Sequence, residues 1–292
     1  MLWVTTHNLH LFFKDMSTEI KKTENGGIDI DAYDIDTLFE DSHAAQQKSP
    51  YLSCILWGPE ETGKTYTALT FPGPIYYLDL DGGLMPNLKY FPDKKIKHVR
   101  MISLLDNSDT LAVDDPNYDP FKVDPINTCR NFDVAVSVAQ KLKGGTIIVD
   151  TISAYNEWLK DLMNVHIPKH VKEGVEYVDQ FDWKYVNNKW LWAWEKLKNI
   201  EANLVVIAKA KNVYQGRDMT QELEPDLRPN TGYQTSIRIE MKKKAITLDG
   251  KQSFVRTANF NKFRGTKLSA AHSVQDVTYD KIMEILKAED KV

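Results

Sequence analysis

Cysteine is scarce: two residues, Cys54 and Cys129, in a chain of 292. Two thiols make no disulfide framework, and a chain of this length buries roughly three-quarters of its unfolded surface without one. A reducing, cytoplasmic setting is therefore the expectation. Long hydrophobic runs are lacking as well. The stretch from Met1 to Phe13 has no basic leader, holds His7, Asn8 and His10, and runs into Lys14-Asp15 instead of a small-residue cleavage site, which argues against a signal peptide. It is also shorter than the roughly 20 apolar residues a bilayer span takes, so no membrane partner is expected. Met16 offers an internal start that would leave 1–15 outside the folded unit. Neither charge is in large excess: 37 Lys+Arg against 41 Asp+Glu give a net charge of −4. That excludes a polycation but not a local basic groove, because net charge averages over faces. No internal repeat is present. His166 and His170 have helical spacing, but Pro168 interrupts them and no third ligand is evident, so no zinc site is expected.

What is present is ordered punctuation. Residues 1–48 read as a flexible acidic arm, polar from Ser17 to Ser49 with Leu38-Phe39 as its main apolar pair. Tyr51 to Trp57 is a buried-strand pattern ended by Gly58-Pro59, and a helix is expected to open near Gly63-Lys64. Further strands are expected at Ile75–Leu80, Ile96–Ile102, Thr146–Asp150 and Asn203–Ala208. Helices are expected at Phe132–Leu142, after Asp150, and at Phe181–Ile200, with loops at Asp106–Asp124, Val165–Gln180 and beyond Ala208. Ser236–Met241, Ala245–Leu248 and Ser253–Asn259 read as antiparallel strands, the last two joined by an Asp249-Gly250 turn, and Thr278 caps a final amphipathic helix. Strands alternating with helices, then a late hairpin, predict an α/β fold: a largely parallel sheet flanked by helices, with additional antiparallel strands on the C-terminal side. The core is expected over 49–268 and a C-terminal helix over 269–292.

Gly58-Pro59-Glu60-Glu61-Thr62-Gly63-Lys64-Thr65 matches G-x-x-x-x-G-K-[ST], after a strand and at a helix start. Loop amides and the helix N-terminus wrap an anion, Lys64 reaches the β/γ-phosphates, and Thr65 offers a hydroxyl to Mg²⁺. With Tyr66 these residues form the expected ATP-binding set. Such a loop needs a second carboxylate for the metal, and Asp150, closing the apolar run Ile147–Val149, supplies it. Asp79 and Asp81 end another strand on one face. One of them can polarise an attacking water; a turn closed by Asp side chains before Gly82-Gly83 explains the pattern equally well.

The order of Gly58–Thr65, Leu78-Asp79-Leu80-Asp81-Gly82-Gly83-Leu84 and Ile148-Val149-Asp150-Thr151-Ile152-Ser153-Ala154 resembles the RecA-like ATPase core. It is especially similar to compact nucleotide-binding proteins of phages and archaeal viruses, including RecA-like single-strand annealing ATPases. The Asn187–Trp190 and Asn261–Arg264 segments fit that group, and the resemblance covers roughly Tyr51 to Lys267. It implies an ATP- and Mg²⁺-dependent, oligomeric ATPase, ring or filament, acting on single-stranded DNA in recombination, annealing or replication. Asp81 takes the position of a water-activating residue that is usually Glu in the family, one methylene longer. Lys209 is the candidate γ-phosphate sensor. Lys262 and Arg264 match the basic pair inserted into a neighbour's ATP site, where a cation stabilises the transferring phosphoryl group.

For DNA, the resemblance points to the loop holding Lys209, Lys211 and Arg217. Lys169, His170 and Lys172, and the run Lys242–Lys244, are further basic spots, each also readable as a solvated face. Within the tryptophan-rich helix, Trp183, Val186, Trp190, Trp194 and Leu197 share a core stripe. Tyr185, Lys189, Trp192 and Lys196 lie opposite, where they can stack bases or bury against a neighbouring segment. Two other functions compete: a nucleotide-gated scaffold with little hydrolysis, motivated by Asp81, and a packaging or translocation motor.

Overall fold

The computed structural model describes residues 51–104, 122–167, 169–172, 175–179, 181–216, 218–228, 231, 235–248, 251–263 and 273–289. The proposed arm and Arg264 lie outside them, as do Pro168, Arg217 and the turn at Asp249-Gly250.

A parallel sheet forms first from the apolar runs. β1 (Ser53–Gly58), β2 (Ile75–Asp79), β3 (Ile96–Arg100) and β4 (Lys143–Asp150) alternate with helices α1 (Lys64–Leu69), α2 (Pro125–Ala139) and α3 (Ile152–His166). After a small hairpin of β5 (His170–Lys172) and β6 (Val175–Tyr177) come α4 (Trp183–Lys198) and β7 (Glu201–Gln215). β8 (Asp218–Pro225), β9 (Ile237–Leu248), β10 (Lys251–Phe263), β11 (Ser273–Gln275) and α5 (Tyr279–Glu289) complete the order. The main sheet has nine strands in the order β11-β10-β9-β1-β7-β4-β2-β3, with β8 paired to β7. β9, β1, β7, β4, β2 and β3 run parallel, and β8, β10 and β11 are the antiparallel additions.

β1 lies between β7 and β9 and is covered on both faces, which is why it reads as an unbroken apolar run. Its odd residues Ile55 and Trp57 pack with α2, α3 and α4, while Cys54 and Leu56 pack with α1 and α5. Cys54 and Cys129 are free and buried. No helix among the described residues is long and apolar enough to cross a membrane.

Several boundaries differ from expectation. α2 begins at Pro125 instead of Phe132, because Asp124 accepts from the amides of Ile126 (2.9 Å) and Asn127 (3.1 Å) and proline fits the first turn. The segment after Ala208 is not a loop: β7 continues to Gln215 and pairs with β8. Its later residues alternate between half-buried and exposed, so backbone pairing sustains the strand without an apolar signal. Ser236–Met241 and Ala245–Leu248 are parts of one strand, β9, whose first half pairs with β1. Thr278 does meet the last helix, accepting from the Lys281 amide at 3.4 Å.

Candidate functional site

The phosphate loop leaves β1 at Gly58, where φ is +145° and a Cβ would stand 2.2 Å from the Met241 carbonyl oxygen. Only glycine lets the chain pass β9 here. Thr62 donates to the Pro59 carbonyl at 2.9 Å and closes the loop on itself. The Lys64 ammonium donates to the carbonyls of Gly58 (2.8 Å) and Pro59 (2.5 Å), folding back across the loop mouth. Burial lowers its pKa, while Asp150, Glu60 and Asp81 act to raise it. Tyr66, the next residue but one, is exposed on the far side, with its ring 5.1 Å from Phe91 and 6.0 Å from Tyr90.

β4 and β2 deliver the carboxylates. Asp150 is buried, and its Oδ2 accepts from Thr65 Oγ1 at 2.7 Å and from the Tyr77 hydroxyl. Burial pushes the Asp150 carboxyl up to about 6, against the pull of Tyr77, Thr65 and Lys64. The two strand-end aspartates then part company. Asp79 is buried and accepts from the Gly82 amide at 2.8 Å, which is the turn-closing role. Asp81 points onward, accepting from Gly83 at 3.2 Å. Partial desolvation raises its pKa, opposed by the Gly83 amide, Lys209 and Lys64.

Lys209 closes the group from the middle of the sheet. β7 runs between β1 and β4, so Lys209 falls opposite Gly58 while Ile207 falls opposite Asp150. The Lys209 charge acts on both Lys64 and Asp81. Ser153, at the start of α3, holds this strand end: its Oγ accepts from the Lys209 amide at 3.0 Å and donates to the Asp226 carbonyl at 2.9 Å.

These groups fit a phosphate chain and a divalent cation. A Cβ on Gly83 would stand 3.2 Å from Asp81 Oδ1, 3.4 Å from Asp150 Oδ2 and 3.8 Å from Thr65 Oγ1, so two carboxylates and a hydroxyl converge on one space. Oxygen donors of this kind suit Mg²⁺, and a cation there would favour the ionised form of Asp150 and lower its pKa again. Thr151 Oγ1, directly after Asp150, is buried with no hydrogen-bond partner. A groove of about 660 Å³ opens from the loop and is lined by Gly63, Tyr66, Asn87, Tyr90, Arg256 and Asp276 among others.

Lys262 stands apart from this cluster. Its Cα pairs with Arg238, level with Ile55, so it falls three residues (about 10 Å) short of Gly58 along the strands and two strands away (~4.8 Å each). The expected basic groups are also largely engaged. Lys211 pairs with Glu224 (3.5 Å) and Asp226 (3.7 Å), Lys169 with Glu176 (2.6 Å), and Lys242 with Glu240 (2.9 Å). His170 contacts Asp182 at 3.2 Å.

Tyr77 and Arg256 are site residues that the motifs do not reveal, while Ser153, in the Ile148–Ala154 segment, and Lys243, in the basic run Lys242–Lys244, were expected in other roles. Lys243 reaches Glu61 at 2.6 Å, and Arg256 Nε lies 3.4 Å from the Glu61 carbonyl oxygen. The one usable signal was the expected Asp249-Gly250 turn, consistent with the pairing of Leu248 with Lys251 that sets Lys243 opposite Arg256. The level at which that hairpin stands against β1 is not written in its residues.

Residues 51–265 match the family AAA_24, described as an AAA domain. No curated protein matches the chain.

Proposed function

Because the chain belongs to this AAA domain family of P-loop NTPases, we propose that it is a Mg²⁺-dependent ATPase with a RecA-like core that acts on single-stranded DNA as a homo-oligomer. The observation that carries the ATPase half is the convergence of Lys64, Thr65, Asp81, Asp150 and Lys209 at one end of the parallel sheet. The loop Gly58–Thr65 and Lys64 bind the phosphates. Thr65 and Asp150 would hold Mg²⁺, which supplies charge neutralisation at the phosphoryl oxygens. Asp81, the exposed carboxylate of the pair, takes the proton of the attacking water, and its raised pKa makes it a stronger base than an ordinary aspartate. Lys209 places a second cation where negative charge grows. Lys262 and Arg264 act on a neighbouring subunit, consistent with the distance of Lys262 from its own loop.

The DNA half is supported by the resemblance of the ordered motifs to single-strand annealing ATPases. The test is ATP turnover and solution mass with and without single-stranded DNA at low salt. Saturable turnover that DNA stimulates, lost in Lys64→Ala, is the expected result. Absence of DNA binding and of stimulation removes the DNA half and leaves the ATPase.

A second reading has its own observation. Asp81 is one methylene shorter than Glu and already accepts from the Gly83 amide, which suits a nucleotide-gated scaffold that turns over slowly. Tight ATP binding with slow turnover that Asp81→Glu accelerates would favour it; brisk wild-type turnover removes it.

A further inference from the structure

A phosphate loop with two glutamates poses an electrostatic problem. Glu60 and Glu61 put two negative charges beside the place where an anion must bind. Both are exposed, so neither is neutralised by burial. The structure answers with the β9–β10 hairpin, which climbs past the loop. Met241 packs against Gly58, and two residues further along Lys243 and Arg256 stand directly opposite each other. Cross-strand partners share a face, and like charges placed so are destabilising unless an anion meets them.

One of the two cations is accounted for. Lys243 pairs with Glu61 at 2.6 Å, also lies 4.3 Å from the Phe254 ring centre, and holds the Glu61 carboxyl below its usual range through that hydrogen bond and its charge. Arg256 has no carboxylate within ion-pair distance among the described residues. Its Nε touches only the Glu61 carbonyl, at 3.4 Å, and its Cδ lies 3.0 Å from where a Gly63 Cβ would be. The guanidinium thus stands over the loop without a close ion pair, its charge acting on Glu61 only at longer range, in the wall of the groove that also holds Tyr66 and Asp276.

The side of the loop decides which phosphate it meets. Lys64 and Thr65 of the phosphate loop line that groove beside Arg256, whereas Asp81, Asp150 and Lys209 do not. Its walls are aromatic and polar instead, with Tyr66 and Tyr90 6.0 Å apart, which suits a nucleoside. The phosphate nearest the nucleoside is the α-phosphate, present in both ATP and ADP. We propose that Arg256 is a cation acting within its own chain that binds the phosphates common to ATP and ADP, on the nucleoside side of the loop, with Lys243 cancelling the Glu61 charge beside it. The inference rests on the nucleotide reading of the site. It assigns a binding cation distinct from Lys262 and Arg264, which serve a neighbour.

Calorimetric titration of ATP and of ADP into the full chain, at two salt concentrations, tests this with Arg256→Ala, Arg256→Lys and Lys243→Ala. Arg256→Ala is expected to weaken ATP and ADP by the same factor, about tenfold or more, and to flatten the salt dependence. Arg256→Lys recovers part of the loss, keeping the charge without the planar fork. Lys243→Ala weakens both nucleotides less, by leaving Glu61 uncompensated. Unchanged affinity in Arg256→Ala overturns the proposal. So does a loss for ATP with none for ADP, which would move the contact to the γ-phosphate. Arg256 is exposed, so unfolding is not expected, and an unaltered melting temperature checks it. If the wild-type chain binds neither nucleotide, the nucleotide reading itself falls, an outcome separate from a wild-type site that ignores Arg256.

Discussion

Tyr77 shows how one buried hydroxyl can set the character of Asp150, the carboxylate proposed to hold Mg²⁺. It sits on β2, 1% exposed, and donates to the same Asp150 oxygen that Thr65 reaches at 2.7 Å. Without it, Asp150 Oδ2 keeps a single donor and greater freedom to rotate. Tyr77→Phe is therefore expected to raise the Mg²⁺ concentration for half-maximal turnover several-fold while costing only about 1 kcal/mol of stability. A Mg²⁺ titration beside a urea melt separates the two effects. Nothing in the sequence marks Tyr77, since an aromatic in the run Ile75–Asp79 is ordinary strand composition. Thr65 and Asp150, in contrast, were both legible: one belongs to a spaced motif, the other closes an apolar run. Asp79 and Asp81 show the limit of such reading. Alternation put them on one face, but β2 ends at Asp79, so the chain turns before Asp81 and the two carboxylates take different work.

At the scale of elements, α4 was readable because its apolar spacing is helical. Val186, Trp190, Trp194 and Leu197 are buried as the stripe predicted, and Trp183 is half-buried with Arg228 over its ring at 5.0 Å. The opposite face is less available than its composition suggested. Lys189 is tied to Asp133 at 2.9 Å, and Lys196 lies 5.5 Å from the Trp192 ring centre. The two tryptophans two residues apart should then behave differently. Trp190 is packed on the sheet and donates to Thr231 at 2.9 Å, whereas Trp192 is 38% exposed. Trp190→Ala is expected to lower the unfolding free energy by about 3–5 kcal/mol and Trp192→Ala by under about 1 kcal/mol, measured by denaturant melts. The β7–β8 hairpin was not legible, because past Ala208 its residues lose the apolar signal and its partner strand carries Asp218, Glu222 and Glu224. Acidic residues there offset the lysines that had marked this segment as basic.

For the whole molecule, the proposed subunit contact follows from where Lys262 sits in the sheet. The Lys262 backbone lies level with the middle of β1, and the phosphate loop lies where β1 ends. The Lys262 backbone is thus offset from the phosphate loop by half of β1 and by two strands. Mixing Arg264→Ala subunits with Asp81→Ala subunits is therefore expected to restore part of the turnover each lacks alone, read as ATPase rate against mixing ratio. No recovery at any ratio would place catalysis within single chains.

The local grammar of the chain determined its class. A strand ending in G-x-x-x-x-G-K-T, a second ending in Asp, and helices between them suffice for an α/β P-loop protein, because motif spacing and hydrophobic period are local properties. The low cysteine content also proved consistent with the packing: both thiols are buried and unpaired. Tertiary structure alone decided how the parts meet. Threading β7 between β1 and β4 brings Lys209 to the phosphate loop, and raising the β9–β10 hairpin past Gly58 sets Lys243 and Arg256 against Glu61. Strand order and the level of one strand against another depend on contacts between residues far apart in the chain. No local pattern carries that information.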